Sequence, residues 1–271
     1  MTVGNASAEV LDQSPSWLFD FVRLYFRPRT PTFYRNEGIR PLAYRQMGAH
    51  CPVPVAFMFG AKDIAGRAGV RFSNSNLASA SAMHGDDAGF LRSLDFRDIY
   101  HDGPMGLEDR SRLTSRRQAE IIVPGELGLE ALVHVATRSP AERQTLLTLL
   151  EKEHGSSAMA PEMITVDSGL FFCEWTYIES VALVGSTIRC LFNPDSQTPG
   201  PFAAVFEWSD PAGGASTRTT HSLRCLGTVT VPVPGAFQGH AVRLTIRLDD
   251  ALAFSGTLEP LPSGTMLVPR R

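Results

Sequence analysis

Over residues 17–155, short apolar runs alternate with turns that are rich in proline and glycine. Runs of β-branched and aromatic residues predict strands, whereas apolar residues spaced three to four apart predict helices. The predicted strands are Asp20–Phe26, Pro52–Phe59, Val70–Phe72 and Ile121–Val123. The predicted helices are Lys62–Ala68, a segment within Phe90–Tyr100, and Pro140–Glu153. This mixture of elements predicts a mixed α/β domain over residues 17–155.

The last predicted helix carries a complete start signal. Ser139 is a favourable N-cap, Pro140 stands at the first helical position and Glu142 at the third, as in a capping box. Its expected buried stripe consists of Leu146, Leu147, Leu149 and Leu150. Gly155–Ser157 follows the helix and predicts a domain boundary.

From Ile164 onward the pattern changes to short alternating runs separated by Gly/Pro turns. The runs are Val181–Val184, Thr187–Phe192, Ala204–Trp208, Thr228–Val231 and Val242–Leu248. This spacing predicts an antiparallel β-sandwich over residues 164–271 without helices. The runs hold no dense group of His, Asp or Glu, so we expect recognition or scaffolding from this half. The predicted fold class is therefore α+β, with residues 1–16 as a polar lead-in.

Composition narrows the class of protein. The chain has 271 residues, of which 43% are hydrophobic and 20% charged, as in a globular protein of two domains. Its net charge of −3 gives no overall nucleic-acid signature, so any such surface must be local. No apolar run is long enough to span a bilayer. The four cysteines are scattered without a CxxC pair, which favours thiols in the reducing cytoplasm, and we expect no metal site.

One acid stands at the start of an apolar strand. Glu120 follows Arg116–Arg117 and precedes Ile121–Val123, and Gln118 is expected on the same strand face. A carboxylate held on a rigid strand among hydrogen-bonding groups can stabilise charge in a transition state. The same pattern also fits a surface ion pair between Glu120 and the neighbouring arginines.

A basic, aromatic segment follows the first predicted strand. It contains Arg27, Arg29, Phe33, Tyr34, Arg35, Arg40, Tyr44 and Arg45. Arginines among aromatic rings suit phosphate contacts and base stacking, but they also fit a solvated helix face with snorkelling side chains. The polar run Ser73–Asn76 predicts a turn, and its side-chain amides could also line a ligand site. His101–Ser115 is expected to be a mobile loop that contacts substrate.

Three segments, in this order, resemble the DarT family of ADP-ribosyltransferase toxins. Asp20–Tyr34 is similar to the family's D-[YF]-V-x-x-Y-F followed by P-R-[ST]-P-x-x-Y. Phe72–Asn76 is similar to a strand and polar turn of the family, and Arg117–Val123 to its Q-A-E-[FV]-L-V. The resemblance covers residues 17–150.

The resemblance implies an NAD-dependent enzyme of the glycosyltransferase class that transfers ADP-ribose to a nucleic-acid base, with single-stranded DNA preferred over RNA. It implies a toxin or defence role and a macrodomain-type antitoxin partner. The motif places the family's catalytic glutamate at Glu120, where it would hydrogen-bond the nicotinamide ribose and stabilise oxocarbenium character. The expected NAD-binding residues are Tyr25, Arg29, Tyr34 and Gln118. The expected nucleic-acid-binding residues are Arg35, Arg112, Arg116 and Arg117.

The chain departs from the family pattern before the first matched strand. Family members carry there a motif of the type I-x-H-I-x-N-L that binds NAD, and an arginine that works on the target base. This sequence has no histidine before His50 and no arginine before Arg23. Three explanations fit: the chain begins late, NAD binding is rebuilt from other residues, or catalysis is lost. The last leaves a non-catalytic module that binds nucleic acid or protein as the alternative function.

Overall fold

A computed structural model describes residues 16–45, 50–155, 159–212, 216–262 and 264–265. It divides into two compact units, Met1–Arg35 with Phe57–His134 and Asn36–Ala56 with Val135–Arg271. We call these unit 1 and unit 2. The predicted lead-in lies outside the described residues except for its last residue, and so does most of the predicted boundary after Gly155.

The regular elements are as follows. The strands are β1 Phe21–Tyr25, β2 Val55–Phe59, β3 Arg71–Ser73, β4 His84–Gly85, β5 Glu120–Pro124, β6 Leu132–Thr137, β7 Ile164–Val166, β8 Ile178–Val184, β9 Thr187–Phe192, β10 Phe202–Ser209, β11 Ser216–Leu223, β12 Thr228–Pro232, β13 Val242–Leu248, β14 Ala251–Leu258 and β15 Pro260–Leu261. The α-helices are α1 Pro31–Asn36, α2 Ala61–Ala65, α3 Ala88–Ser93, α4 Phe96–Ile99, α5 Arg110–Arg116 and α6 Pro140–His154.

The sheet of unit 1 has the order β1-β5-β3-β4, and all its neighbours are antiparallel. The apolar residues of β5 are buried on both faces. Ile121 and Val123 belong to one hydrophobic cluster together with Phe72, whereas Ile122 packs with Leu18 and Leu77 in another. The prediction of a buried strand at Ile121–Val123 is confirmed, and Glu120, two residues before Ile122, begins the strand on the face of Ile122.

The predicted helical segment within Phe90–Tyr100 forms two short helices rather than one. Asp87 caps α3 by accepting a hydrogen bond from the Phe90 N–H at 2.7 Å. Asp95 then caps α4, so each aspartate starts a new helix and the segment breaks between them.

The prediction of a loop over His101–Ser115 is wrong in its second half, which forms α5. Leu113 is the one buried residue of this helix, so the sequence shows no apolar stripe. Arg112 instead pairs with Asp109 at 2.8 Å and with Asp98. Such pairs stabilise a short polar helix that periodicity does not reveal.

Unit 2 contains two four-stranded sheets, ordered β11-β10-β13-β14 and β12-β9-β8-β15. One hydrophobic cluster draws residues from both sheets, among them Trp208, Leu244, Ile188 and Phe192. The predicted strands Thr187–Phe192 and Val242–Leu248 are confirmed to the residue. Sequence analysis missed β11 and β14. β11 is an edge strand of hydroxyl and charged residues with no buried position, so it lacks the apolar half of the alternation.

The helix α6 belongs to unit 2. Its predicted cap is confirmed, because the Ser139 hydroxyl accepts a hydrogen bond from the Glu142 N–H at 3.2 Å. The predicted leucine stripe is only half-buried, and the buried positions are Ala141, Glu142 and Thr145. Glu142 can occupy a buried position because its carboxylate pairs with Arg138.

Arg138 also joins segments of unit 2 that are distant in the sequence. It pairs with Glu37 at 2.9 Å and donates to the Pro52 carbonyl at 3.1 Å, and both ion-pair side chains are fully buried. These contacts fix Asn36–Ala56 in the same unit as α6. In the described part of the chain, no helix is long and apolar enough to cross a membrane.

Candidate active site

Glu120 is fully buried at the start of β5 and is held by contacts on both carboxylate oxygens. Arg23 donates from Nη2 to Oε1 at 2.6 Å, and the Leu77 N–H donates to Oε2 at 3.1 Å. The register explains the ion pair: Tyr25 lies opposite Glu120, so Arg23, two residues earlier on β1, projects from the same sheet face. The interpretation of Glu120 as a surface ion-pair partner of its neighbouring arginines is therefore wrong.

The surroundings of Glu120 shift its protonation. Burial raises the pKa of the Glu120 carboxyl. The charge of Arg23 and the hydrogen bonds from Arg23 and from the Leu77 N–H lower it, but they offset the effect of burial only in part. Burial and the negative charge of Glu120 also raise the pKa of Tyr25, although 38% of that residue's surface is exposed. The site thus concentrates a buried carboxylate and a cation where β1 and β5 meet.

A polar network continues from Arg23. Arg23 Nη2 donates to Asn76 Oδ1 at 2.8 Å, and Asn76 Nδ2 donates to Gln118 Oε1 at 3.4 Å. The same Gln118 oxygen accepts from the Thr32 hydroxyl at 2.8 Å, while Gln118 Nε2 donates to the Thr114 carbonyl at 3.1 Å. The network connects the buried ion pair with α5 and with the turn after β3.

A cavity of about 640 Å³ adjoins this network. Its lining includes Asn76 and Gln118 together with Arg110, Ser111 and Thr114 of α5. Amide and hydroxyl groups with one arginine suit a polar ligand, and the volume lies within the range of ligand pockets, about 300–1,000 Å³.

The four predicted NAD-binding residues lie in different surroundings. Tyr25 and Gln118 lie beside Glu120, as described above. Arg29 pairs with Asp102 on the loop before α5. Tyr34 lies on α1 and is 37% exposed.

The four predicted nucleic-acid-binding arginines also differ in exposure. Arg35 is exposed on α1, and Arg112 is half-exposed on α5. Arg116 donates to the Asn74 carbonyl at 3.2 Å. Arg117 is 11% exposed at its side chain and lies 3.8 Å from an Asp102 oxygen. The last two therefore make internal contacts.

Sequence analysis missed Arg23 as a member of the site, and it considered Ser73 and Asn76 only as an alternative to a turn. Ser73 accepts a hydrogen bond from the Glu120 N–H at 3.0 Å. Two signals were present: a charged residue inside the apolar run Phe21–Tyr25, and the polar run Ser73–Asn76 directly after a strand. Neither signal identifies its partner without the β1–β5 register. No group of three or more His, Cys, Asp or Glu that could hold a metal ion occurs among the residues described.

A comparison with protein families finds a match over residues 6–172 to the family described as ssDNA thymidine ADP-ribosyltransferase, DarT. No curated protein matches the chain. Solved structures similar to this one include Thermus sp. 2.9 DarT in complex with NAD+, with 21% identity over 57% of this chain and 74% of that chain and a TM-score of 0.44. Thermus sp. 2.9 DarT in complex with ADP-ribosylated ssDNA has 19% identity over 63% and 82% of the two chains, with a TM-score of 0.48. Thermosipho africanus DarTG in complex with ADP-ribose has 16% identity over 64% and 40%, with a TM-score of 0.39.

These TM-scores lie below 0.5, so the assignment depends on the family match. That match covers more than half of the chain and includes the whole predicted resemblance over residues 17–150. It also includes β1, the turn after β3 and the start of β5, the elements that bring Arg23, Asn76 and Glu120 together. This chain belongs to the DarT family of single-stranded-DNA thymidine ADP-ribosyltransferases.

Proposed function

We propose that this chain transfers ADP-ribose from NAD to thymine in single-stranded DNA and that Glu120 is its catalytic residue. Family membership confirms the expectation of an ADP-ribosyltransferase acting on single-stranded DNA and adds thymidine as the acceptor. The observation that carries the residue assignment is the buried Glu120 carboxylate, fixed by Arg23 and Leu77 on a rigid strand.

The geometry suits the charge that develops during this reaction. The bond between the anomeric carbon and nicotinamide breaks, nicotinamide leaves with the bonding electrons, and positive charge develops on the ribose. A carboxylate has about four lone-pair sites, and Arg23 and Leu77 occupy two of those on Glu120. The remaining sites can accept hydrogen bonds from ribose hydroxyls and stabilise the cation. A thymine atom then bonds to the anomeric carbon, and its proton is released.

Arg23 has a separate role in this proposal as a positioning residue. Its guanidinium opposes the rise that burial causes in the pKa of Glu120, and it fixes the carboxylate relative to Asn76. We also assign Arg23 to NAD binding. Its Nε is buried without a hydrogen-bond partner among the described residues, which leaves a donor for a ligand.

The remaining assignments follow from placement. Tyr25 and Gln118 contact NAD next to Glu120, whereas Arg29 and Tyr34 are assigned to NAD by their motif. Arg35 and Arg112 offer exposed guanidinium groups for DNA phosphates. We assign a supporting role to the two arginines with internal contacts, Arg116 and Arg117.

The test is nicotinamide release and DNA adduct formation by the full chain with NAD. The oligonucleotides are a thymidine-containing single strand and one in which cytidine replaces thymidine. We expect turnover with the first only, and a loss of about a hundredfold or more in Glu120→Gln. Glu130→Gln is the matched control, because Glu130 pairs with Arg67 at the surface of the same unit. Single-strand binding without nicotinamide release, unchanged in Glu120→Gln, would establish the non-catalytic alternative instead.

We also propose that the two sheets of unit 2 pack as a β-sandwich that serves recognition or scaffolding. Their shared hydrophobic cluster supports this arrangement. Mass-spectrometric footprinting of alternate positions on β9 and β13 tests it: Ile188 and Leu244 should be protected, whereas Arg189 and Arg243 should react.

A toxin role in the cytoplasm, restrained by a macrodomain-type antitoxin, is a further proposal that derives from the family. Expression of the chain should arrest growth, and co-expression of a macrodomain that removes ADP-ribose should restore it. Arrest that persists equally in Glu120→Gln would contradict the proposal.

A further inference from the structure

Three arginines of unit 1 converge on one carboxylate. Asp102, on the loop between α4 and α5, accepts a hydrogen bond from Arg27 at 2.8 Å on Oδ1 and pairs with Arg29 through Oδ2. Arg117 lies 3.8 Å from Oδ1. In the described part of the chain, all ion pairs of these three arginines end on Asp102. Three cations therefore share one anion.

Two of the three arginines are held in place without Asp102. Arg27 donates from Nη1 to the carbonyls of Ile99 at 3.1 Å and His101 at 2.6 Å, and its side chain is 6% exposed. Arg117 is also nearly buried, at 11%. The Asp102 side chain is 51% exposed and directly precedes Gly103 and Pro104. Arg27 and Arg117 thus form the fixed part of the cluster, and the Asp102 carboxylate forms its accessible part.

The charges are incompletely neutralised. Burial and the nearby charges of Arg27 and Arg29 lower the pKa of Arg117, despite its contact with Asp102. Burial raises the pKa of Asp102, but the hydrogen bond from Arg27 and the three positive charges outweigh it and hold that pKa below its usual value. A buried cation without a full countercharge is unfavourable, so the cluster favours a second or stronger anion.

We propose that Arg27, Arg29 and Arg117 form a phosphate-binding site in which Asp102 is the resident anion, and that a substrate phosphate displaces the Asp102 carboxylate. Guanidinium groups bind phosphate through paired, charge-assisted hydrogen bonds. The Nε atoms of Arg27 and Arg117 are buried without partners among the described residues, so donors remain for additional oxygens.

The chain places this site beside Glu120. Arg27 follows Tyr25 by two residues, and Arg117 precedes Glu120 by three. The two segments are bonded, because the Phe26 N–H donates to the Ala119 carbonyl at 3.3 Å. A phosphate bound here is either the diphosphate of NAD or the backbone of DNA. This choice of sources depends on the proposed function, whereas the anion site itself does not.

The first test uses inorganic pyrophosphate and the full chain, with binding measured by calorimetry at low salt. Removing the competing anion by Asp102→Asn should tighten binding about five- to tenfold. Asp109→Asn removes the same charge from a residue that pairs with Arg112, and it should change affinity about twofold or less. Equal effects of the two variants would overturn the proposal, since they would reflect net charge alone.

A second pair of variants tests the arginines. Arg29→Gln should weaken pyrophosphate binding about tenfold relative to Arg92→Gln, an exposed arginine on α3. Equal affinities would overturn the site. Arg29 is one-third exposed, so this pair decides the question even where Asp102→Asn does not fold.

The source of the phosphate is then found with NAD and with a single-stranded deoxycytidine octamer, which has a phosphate backbone but no thymidine. The natural source of the phosphate is the ligand whose affinity is higher in Asp102→Asn than in Asp109→Asn. If neither responds, the site binds an anion but no substrate phosphate, and that half of the proposal is wrong. Failure of the proposed function would give a different result: nicotinamide release would be absent while pyrophosphate binding stayed intact.

Discussion

The contact that most directly tests the site is the ion pair between Arg23 and Glu120. Arg23→Gln keeps a polar side chain but shortens it and removes the positive charge. The Glu120 side chain, which is 1% exposed, then keeps only the Leu77 N–H among the donors described above. We expect unit 1 to lose stability, because a buried carboxylate loses its charged partner.

The structure sets the size of this loss. Breaking a fully buried ion pair costs about 3–5 kcal/mol, whereas losing a hydrogen bond to a charged group costs about 1.5–3 kcal/mol. The Arg23 side chain is 29% exposed, so the pair is screened and the lower range applies. We expect a loss of about 2 kcal/mol near pH 8, or about 30-fold faster hydrogen exchange by local opening.

The loss should depend on pH in a defined direction. The pKa of Glu120 is already raised, and removing Arg23 removes two influences that lower it. The folded variant can therefore bind a proton on Glu120 at a higher pH than the unfolded chain. Its stability falls as the pH rises from the unfolded pKa through the folded one, so the deficit relative to the parent should be smaller near pH 5 than near pH 8.

Hydrogen exchange of peptides from Phe21–Tyr25 and Glu120–Pro124 measures this loss locally. Arg71→Gln on β3 is the matched control, since Arg71 lies over the Phe21 ring and has no carboxylate partner in the described residues. A double-mutant cycle with Glu120→Gln should show that Arg23 matters little once the carboxylate is neutral. The reasoning is refuted if Arg23→Gln costs the same at both pH values or no more than Arg71→Gln.

Three further predictions follow from the same contacts and charges. The rate of nicotinamide release should rise with pH as Glu120 loses its proton, and Arg23→Gln should move this rise to higher pH. A pH–rate profile of both proteins checks this, and an identical profile for the two would contradict it. Arg138→Met should lower the free energy of unfolding of unit 2 by about 3–5 kcal/mol, because it leaves Glu37 and Glu142 buried without a cation. Hydrogen exchange of α6 measures this loss against the variant Lys152→Met, which changes an exposed residue of the same helix. Burial, with the charges of Arg45 and Arg40, lowers the pKa of His50 to about 4. The contribution of His50 to stability is therefore present above pH 6.5 and is lost as the pH falls towards 4. Thermal melts should show a smaller loss of stability over that range in His50→Gln than in the parent, and an equal loss in both proteins would contradict the assignment.

Sequence analysis identified strands from local patterns, and the proposed catalytic position also comes from a local pattern. The apolar run Ile121–Val123 is buried as predicted, and the family motif at Glu120 is confined to a few adjacent residues. The strands of unit 2 followed from simple alternation, as with Thr187–Phe192. These signals need no knowledge of distant residues.

Other features depend on pairings between distant residues. Arg23 and Glu120 are 97 positions apart, and only the antiparallel register between β1 and β5 brings them to one face. Likewise, Arg138 and Glu37 are 101 positions apart, and their buried pair changes the limits of unit 2. The polar helix α5 was not predicted for a related reason, because it is stabilised by ion pairs rather than by an apolar face.

The two buried ion pairs differ in how completely their polar atoms are satisfied. Glu37 accepts from Arg138 and from the N–H groups of Phe172 and Cys173, and every side-chain nitrogen of Arg138 has a described acceptor. Among the described residues, this cluster leaves no guanidinium nitrogen without a partner, which is typical of a structural network.

The pair of Arg23 and Glu120 is different, because one guanidinium nitrogen has no described partner and the carboxylate retains free lone pairs. Incomplete satisfaction of a buried pair reduces stability but leaves groups ready to bind substrate. It follows that Glu120→Gln, which removes an unfavourable buried charge, should abolish nicotinamide release while leaving unit 1 at least as stable near pH 8. Arg138→Met should have the opposite profile, with a large loss of stability in unit 2. Hydrogen exchange and activity measured on both variants would separate the two roles, and a Glu120→Gln protein that is markedly less stable would make Glu120 a structural residue.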